Sequence, residues 1–270
     1  MPELPEVEAV RRMLERAARG SRIDRVELRR PDLRRPFPPD FASRLTGHTI
    51  RSIGRRGKYL LVALSSGDTL LVHLGMSGAF RTEKSRSSPA TLDPHDHVVF
   101  VLSSGVIVTF NDPRRFGLMD LIRANEEHDA LRGMGPEPLD AAFDAAVLAR
   151  ACAGKRVALK VLLLDQRLIA GVGNIYASEA LHHARLSPRR RASTIATSAG
   201  APREAAFKLA AGIKAVLEKA VAANARAYES GRFRVYEREG KPCPRRGCGG
   251  TIRRITLGGR STYYCPACQK

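Results

Sequence analysis

His97-Val-Val-Phe-Val-Leu102, Ser103-Ser-Gly105 and Val106-Ile-Val-Thr-Phe110 follow one another without interruption. Two β-branched and aromatic runs of this length, joined by three residues ending in glycine, specify an antiparallel hairpin. The same grammar extends upstream, where apolar runs occupy 49–53, 59–64 and 69–74, the last two separated by Ser65-Ser66-Gly67-Asp68. Between Ile23 and Ile122 the signal is of short runs rich in Val, Ile, Leu and Phe. Successive hairpins without intervening helices argue for an antiparallel sandwich or barrel rather than a parallel sheet. The polar stretch 82–94 reads as a mobile loop.

Helical spacing flanks this β region. Val7, Val10, Met13, Leu14 and Ala17 share one face of a helix over 5–18, with Pro5 suited to its first turn and Gly20 just beyond its end. Downstream, Arg132-Gly-Met-Gly-Pro-Glu-Pro-Leu139 has no periodicity and marks a domain boundary. The composition then turns to Ala, Leu and Lys, with helices expected at 141–153, 156–167, 175–183 and 201–223. The class is α+β, with expected domains at 1–133, 134–235 and 236–270.

The 270 residues carry 46 Lys and Arg against 27 Asp and Glu, a formal net charge of +19. That excess implies a polyanionic partner, with nucleic acid ahead of an anionic membrane surface. No apolar run approaches the ~18 residues of a membrane span, and the start lacks the basic-then-apolar order of a signal peptide. A soluble cytosolic protein with reduced thiols is therefore expected. Cys152 stands alone in an apolar helical pattern and reads as a buried small side chain.

Four of the five cysteines fall in the last 28 residues, as Cys243/Cys248 and Cys265/Cys268. Two close pairs on opposite strands of a hairpin supply four thiolates for tetrahedral zinc, and with every position filled by protein the metal is structural. Arg260 then sits near the hairpin tip, suited to a phosphate contact.

At the other end, Met1-Pro2-Glu3-Leu4-Pro5-Glu6 places a proline where removal of Met1 exposes a secondary amine. An α-amino group titrates near pH 8, so roughly a tenth is unprotonated at pH 7, far more than for lysine. Such an amine attacks carbonyl-like carbon and gives an obligately cationic iminium, a good electron sink, with Glu3 and Glu6 at hand to move protons. The same residues also complement a helix dipole.

Leu168-Ile-Ala-Gly-Val-Gly-Asn174 lacks the third glycine and the preceding strand of a dinucleotide fold. It reads as helix, glycine turn, Asn174 as N-cap, helix, offering either a phosphate-binding N-terminus or a plain helical hairpin. Asn111-Asp-Pro-Arg-Arg-Phe-Gly117 is either a surface turn or a wedge, with Phe116 entering a base stack. His73-Leu-Gly-Met-Ser-Gly78 has the same ambiguity, with Met76 either core or surface and His73 either satisfied polar or functional. Lys58 reads by default as a solvated lysine, and His95 with His97 lacks a third metal ligand.

Taken together, in order, the N-terminal Pro-Glu-Leu-Pro-Glu-Val-Glu, Gly57-Lys58-Tyr59, 73–78, 112–117, 171–179 and the four-cysteine finger resemble the formamidopyrimidine-DNA glycosylase/endonuclease VIII family over essentially the whole chain. The resemblance implies an N-terminal helix with a two-sheet β-sandwich, a helix–two-turns–helix domain and a zinc finger. It implies a cytoplasmic, nucleoid-associated bacterial monomer that excises oxidised bases from double-stranded DNA and cuts the strand by β,δ-elimination, without a membrane partner. Pro2 would attack C1′, Glu3 protonate the ring oxygen, and Glu6 position the lesion or a water. Lys58, His73, Asn174 and Arg260 would contact phosphates; Met76, Arg114 and Phe116 would fill the vacated duplex; Lys160 would handle oxidised purines. The family's base-covering loop is shortened here to 224–234, which leaves open a preference for oxidised pyrimidines or abasic sites. A non-catalytic zinc-containing DNA-binding protein is the rival reading.

Overall fold

The computed structural model describes residues 1–84, 89, 91–224 and 233–270. It divides into two compact units, one of Met1–Pro2 with Glu6–Arg132, the other of Glu3–Pro5 with Gly133–Lys270.

Helix α1 (Leu4–Ala18) starts one residue earlier than the spacing predicts, and within the first unit it buries Val7, Leu14 and Ala18. The strands are β1 (Ile23–Leu28), β2 (Ile50–Arg56), β3 (Tyr59–Leu64), β4 (Thr69–His73), β5 (Ala79–Lys84), β6 (Asp96–Leu102), β7 (Val106–Asn111) and β8 (Leu118–Ile122), with a short helix α2 (Phe41–Leu45) after β1. They form two four-stranded antiparallel sheets, ordered β1-β6-β7-β5 and β2-β3-β4-β8. This is the two-sheet alternative, not a closed barrel. One face of each sheet enters a shared core with α1, as in β3, where Leu60, Val62 and Leu64 alternate inward.

One expectation fails locally. Thr82 to Lys84, read as loop, complete β5, which pairs with β7 along its length from Ala79↔Asn111 to Lys84↔Val106. β5 is an edge strand, and its polar residues carry no inward apolar pattern to announce it. Part of the expected 82–94 loop, residues 85–88 and 90, lies outside the described residues.

The second unit comprises α3 (Ala145–Cys152), α4 (Leu159–Leu163), α5 (Asn174–His183), a 3₁₀ turn (Ala192–Ile195), α6 (Glu204–Ala222) and the hairpin β9 (Arg253–Leu257) with β10 (Arg260–Tyr264). α4 is far shorter than the expected 156–167. Ala158 is drawn into a bridge with Arg191, Leu159 N–H bonds Arg190 O, and the chain after Leu164 turns back on Asp165 O. α5 is buried continuously from Ile175 to His182 and forms the centre of the core, against α6 and α4. Cys152 lies in this core, where burial pushes its thiol up to about 12. No described helix is long and apolar enough to cross a membrane.

Phe110 is fully buried in the sandwich, its ring 5.0 Å from that of Phe80. Phe110→Ala leaves a cavity that the two sheets cannot close, and a loss of about 3–5 kcal/mol is expected in urea unfolding.

Candidate functional site

The centre of the second unit is a buried carboxylate. Glu3 is 1% exposed. One of its oxygens accepts from Ile175 N (2.8 Å), the other from Gly173 N (2.9 Å) and Tyr176 N (3.2 Å). These are donors that the first turn of α5 leaves without intrahelical partners, at the positive end of its dipole. The sequence reading is corrected here. Gly173, not Asn174, is the N-cap, it makes no side-chain cap, and the protein's own Glu3 carboxylate occupies the N–H groups of Gly173, Ile175 and Tyr176. The glycines exist for this contact. A Cβ on Gly173 would lie 2.4 Å from Glu3 Cδ, and one on Gly171, whose φ is +78°, would lie 2.8 Å from the Leu4 side chain. Leu4 N–H bonds Gly171 O, completing the clasp.

Asn174, displaced from capping, faces the hairpin. Its Nδ2 donates to Ser261 O, and its Oδ1 accepts from Lys160 Nζ at 2.6 Å. Lys160 is fully buried, and Nζ also donates to Thr262 Oγ1 (2.7 Å) and Ser261 O (3.1 Å). All three ammonium protons are thus spent inside the protein, so Lys160 holds Asn174 and β10 in place instead of reaching outward. Burial pushes its amine down to about 8, against the opposing pull of Glu3. Arg260 opens β10 opposite Leu257, with Gly258 and Gly259 forming the tip, and is exposed.

A second carboxylate was missed in the sequence. Glu179, on α5, accepts from the N–H groups of Arg234, Val235 and Tyr236 at 2.8 to 3.0 Å and ties down the chain beyond the undescribed segment. Of the shortened 224–234 loop, residues 225–232 lie outside the described residues.

The four cysteine Sγ atoms all lie within 4.8 Å of one another, with Cys243–Cys268 at 3.9 Å and Cys248–Cys265 at 3.6 Å. A tetrahedron of thiolates about 2.3 Å from zinc has edges of about 3.8 Å, close to those two separations, so the set fits the metal.

In the first unit, Lys58 and Glu6 are both buried and Pro2 is half-buried. Lys58 lies in the β2–β3 turn beside His73, whose register partner on β3 is Tyr59. Burial, with Lys58 and then Arg34 adding, pushes the His73 imidazole down to about 4. Its Nδ1 accepts from Gly75 N at 3.0 Å, which leaves the ring proton on Nε2. His73 at neutral pH is therefore an uncharged donor.

The turns at 74–78 and 112–117 interlock. Asp112 accepts from Ser77 Oγ and from Gly117 N, while Ser77 Oγ also accepts from Arg114 N. A Cβ on Gly75 (φ +64°) would lie 2.3 Å from the Phe116 carbonyl carbon, so only glycine permits this approach. The clamp leaves Met76 42% and Phe116 43% exposed, with the Arg114 guanidinium 4.8 Å over the Phe116 ring. Two large apolar side chains and an arginine are thus presented together on a rigid double turn. His97 is buried and bonded to Asp112 O, a structural part of the same clamp.

Comparison with known proteins adds three family matches. Residues 1–119 match the formamidopyrimidine-DNA glycosylase N-terminal domain, 134–230 its H2TH domain, and 240–270 the zinc finger found in FPG and IleRS. A formamidopyrimidine-DNA glycosylase of Rhodopseudomonas palustris (strain BisA53) is 54% identical over 293 aligned positions, covering all of both chains. The Lactococcus lactis formamidopyrimidine-DNA glycosylase bound non-covalently to DNA with an AP site is 31% identical, with a TM-score of 0.87 and 99% of each chain covered. The L. lactis enzyme with FAPY-dG DNA gives 31% and 0.86, covering 99% of this chain and 100% of that one.

Gly173→Ala would push the Glu3 carboxylate off its donors. A loss of about 2–4 kcal/mol is expected in denaturant titration, from broken charged hydrogen bonds and overpacking. For His73, NMR titration should show a neutral Nε2–H imidazole at pH 6 and protonation only near pH 4. Because the folded value is lowered from 6.5, its stabilisation is complete above pH 6.5 and lost as pH falls toward 4. His73→Gln should make the pH dependence of stability shallower in that window.

Proposed function

The chain belongs to the formamidopyrimidine-DNA glycosylase family, and on that footing we propose how its own residues divide the work. It is a DNA glycosylase with AP lyase activity in base excision repair, taking double-stranded DNA that carries oxidised bases or abasic sites. The observation that supports the assignment of roles is the clasped carboxylate of Glu3, which follows Pro2 directly in the chain.

With Met1 removed, the Pro2 nitrogen attacks C1′ of a nucleotide flipped from the stack, forming a C–N bond as the base departs. The proton lost from that nitrogen passes to Glu3, which rests as the carboxylate its three N–H donors favour. Glu3 then delivers it to the ring oxygen O4′, opening the sugar and leaving an iminium on Pro2. The iminium accepts the electron pair of the C2′–H bond as the 3′ phosphate leaves. A second proton loss, from C4′, expels the 5′ phosphate and leaves a one-nucleotide gap. Glu6 orders the lesion or a water. Lys58, His73, Asn174 and Arg260 engage backbone phosphates, His73 through a neutral Nε2–H rather than a charge. Met76, Arg114 and Phe116 fill the space left by the flipped nucleotide. Lys160 acts through Asn174 and β10 in discriminating oxidised purines.

Cys243, Cys248, Cys265 and Cys268 hold zinc, whose contribution is to the finger's folding and not to the reaction. The functional divisions are 1–133, 134–235 and 236–270, catalytic, helix–two-turns–helix and finger. The protein works as a monomer in the cytoplasm, on the nucleoid through its DNA affinity. Oxidised purines are its main substrates.

Borohydride should trap a covalent complex with abasic-site or oxidised-purine DNA, and Pro2→Gly should abolish most of the trapping. Unaltered cleavage by Pro2→Gly would rule out the proline mechanism and favour a non-catalytic DNA-binding role for this residue. Glu3→Gln should slow cleavage of a preformed abasic site about 10²–10⁴-fold while duplex binding persists.

A further inference from the structure

The C-terminal end of α5 meets the finger through a side chain that no metal-binding spacing announces. His182 is fully buried, and its Nε2 lies 3.3 Å from Sγ of Cys243, sixty-one residues further along. A zinc-bound thiolate offers only lone pairs, so this contact requires the imidazole proton on Nε2. The other ring nitrogen, Nδ1, is buried with no partner among the described residues, as fits a bare lone pair. Two residues after Cys243, the Arg245 guanidinium donates to His182 O and to His183 O, capping the last carbonyls of α5. The first half of the metal loop is thereby bound to the helix end at two points.

Four thiolates on Zn²⁺ leave a net charge of −2, so each N–H aimed at a sulfur stabilises the metallated form and withdraws charge from the ligand. Cys243 already receives the backbone N–H of Arg245, and Cys248 that of Gly250. His182 adds a side-chain donor from outside the finger.

We propose that His182 is a positioning residue of the zinc site, donating its Nε2–H to the Cys243 thiolate and so tying retention of the metal to helix α5. The inference rests on zinc occupying the four cysteines and not on the glycosylase chemistry, so the two fail separately.

The test uses the full-length, zinc-loaded protein and a chromogenic chelator. His182→Phe keeps the ring volume and removes the donor, and should release zinc about 10–100-fold faster. His182→Gln, which restores an N–H donor, should recover most of the retention. In the cobalt-loaded protein the thiolate-to-metal charge-transfer band should move to lower energy in His182→Phe and stay near the wild-type position in His182→Gln. Zinc release and a band unchanged in His182→Phe would overturn the proposal. So would faster release from both variants with the band unmoved, since that is the signature of packing alone. Should His182→Phe not fold, isotope-labelled histidine in the wild-type protein decides: an Nε2–H tautomer supports the proposal, and an Nδ1–H tautomer overturns it.

Discussion

A buried carboxylate and a buried helix start each cost too much to stand alone, and in this chain each supplies what the other lacks. Glu3 needs donors once it is removed from water, and the first N–H groups of α5 need an acceptor. Charge-assisted bonds of this kind contribute about 1.5–3 kcal/mol each, and the helix dipole adds to them. The consequence is geometric. Residue 3 is fixed to within hydrogen-bond tolerance against α5, so the residue before it cannot wander far. The Gly-Val-Gly turn is shaped by this internal anion, and a Cβ at either glycine would break the clasp.

The electrostatics of DNA binding divide differently from the raw count of basic residues. The net charge of +19 sets a strong attraction for a polyanion. Yet Lys160 spends its protons on Asn174, Ser261 and Thr262, and His73 is held neutral by burial beside Lys58. Exposed arginines such as Arg114 and Arg260 present their charge to solvent, whereas Lys160 keeps its ammonium bonded inside the protein and His73 adds no charge. A neutral donor costs less to desolvate against a phosphate than a cation does, and it leaves the salt dependence unchanged.

Period and spacing made much of this legible. The hairpin at 97–110 and the runs at 59–64 and 69–74 alternate or fill a buried face, so their strands emerge within a residue or two. The four cysteines carry their own geometry in their spacing. What escaped depends on partners far away in the chain. Asn174 looks like a cap because caps are usually local, but the N-cap is Gly173 and the acceptor for its N–H is Glu3, 170 residues upstream of it. Glu179 and His182 read as ordinary helix residues because nothing in α5 itself shows that one would hold Val235 and the other Cys243. β5 escaped for a different reason, since only Phe80 of this edge strand packs on the core and the residues after it are polar.

These escaped contacts share one element. α5 is ten residues, about 15 Å long, and is held at its start by Glu3, in its middle through Glu179, and at its end by Arg245 and Cys243. A helix held at so many points is buried all round, which is why it shows no clean apolar stripe. Removing zinc would release the loop that carries Arg245, leaving the carbonyls of His182 and His183 without their cap at the helix's negative pole. The penalty falls on the same short rod whose positive pole holds the Glu3 carboxylate. The structural metal site thus anchors one end of the helix whose other end holds that carboxylate.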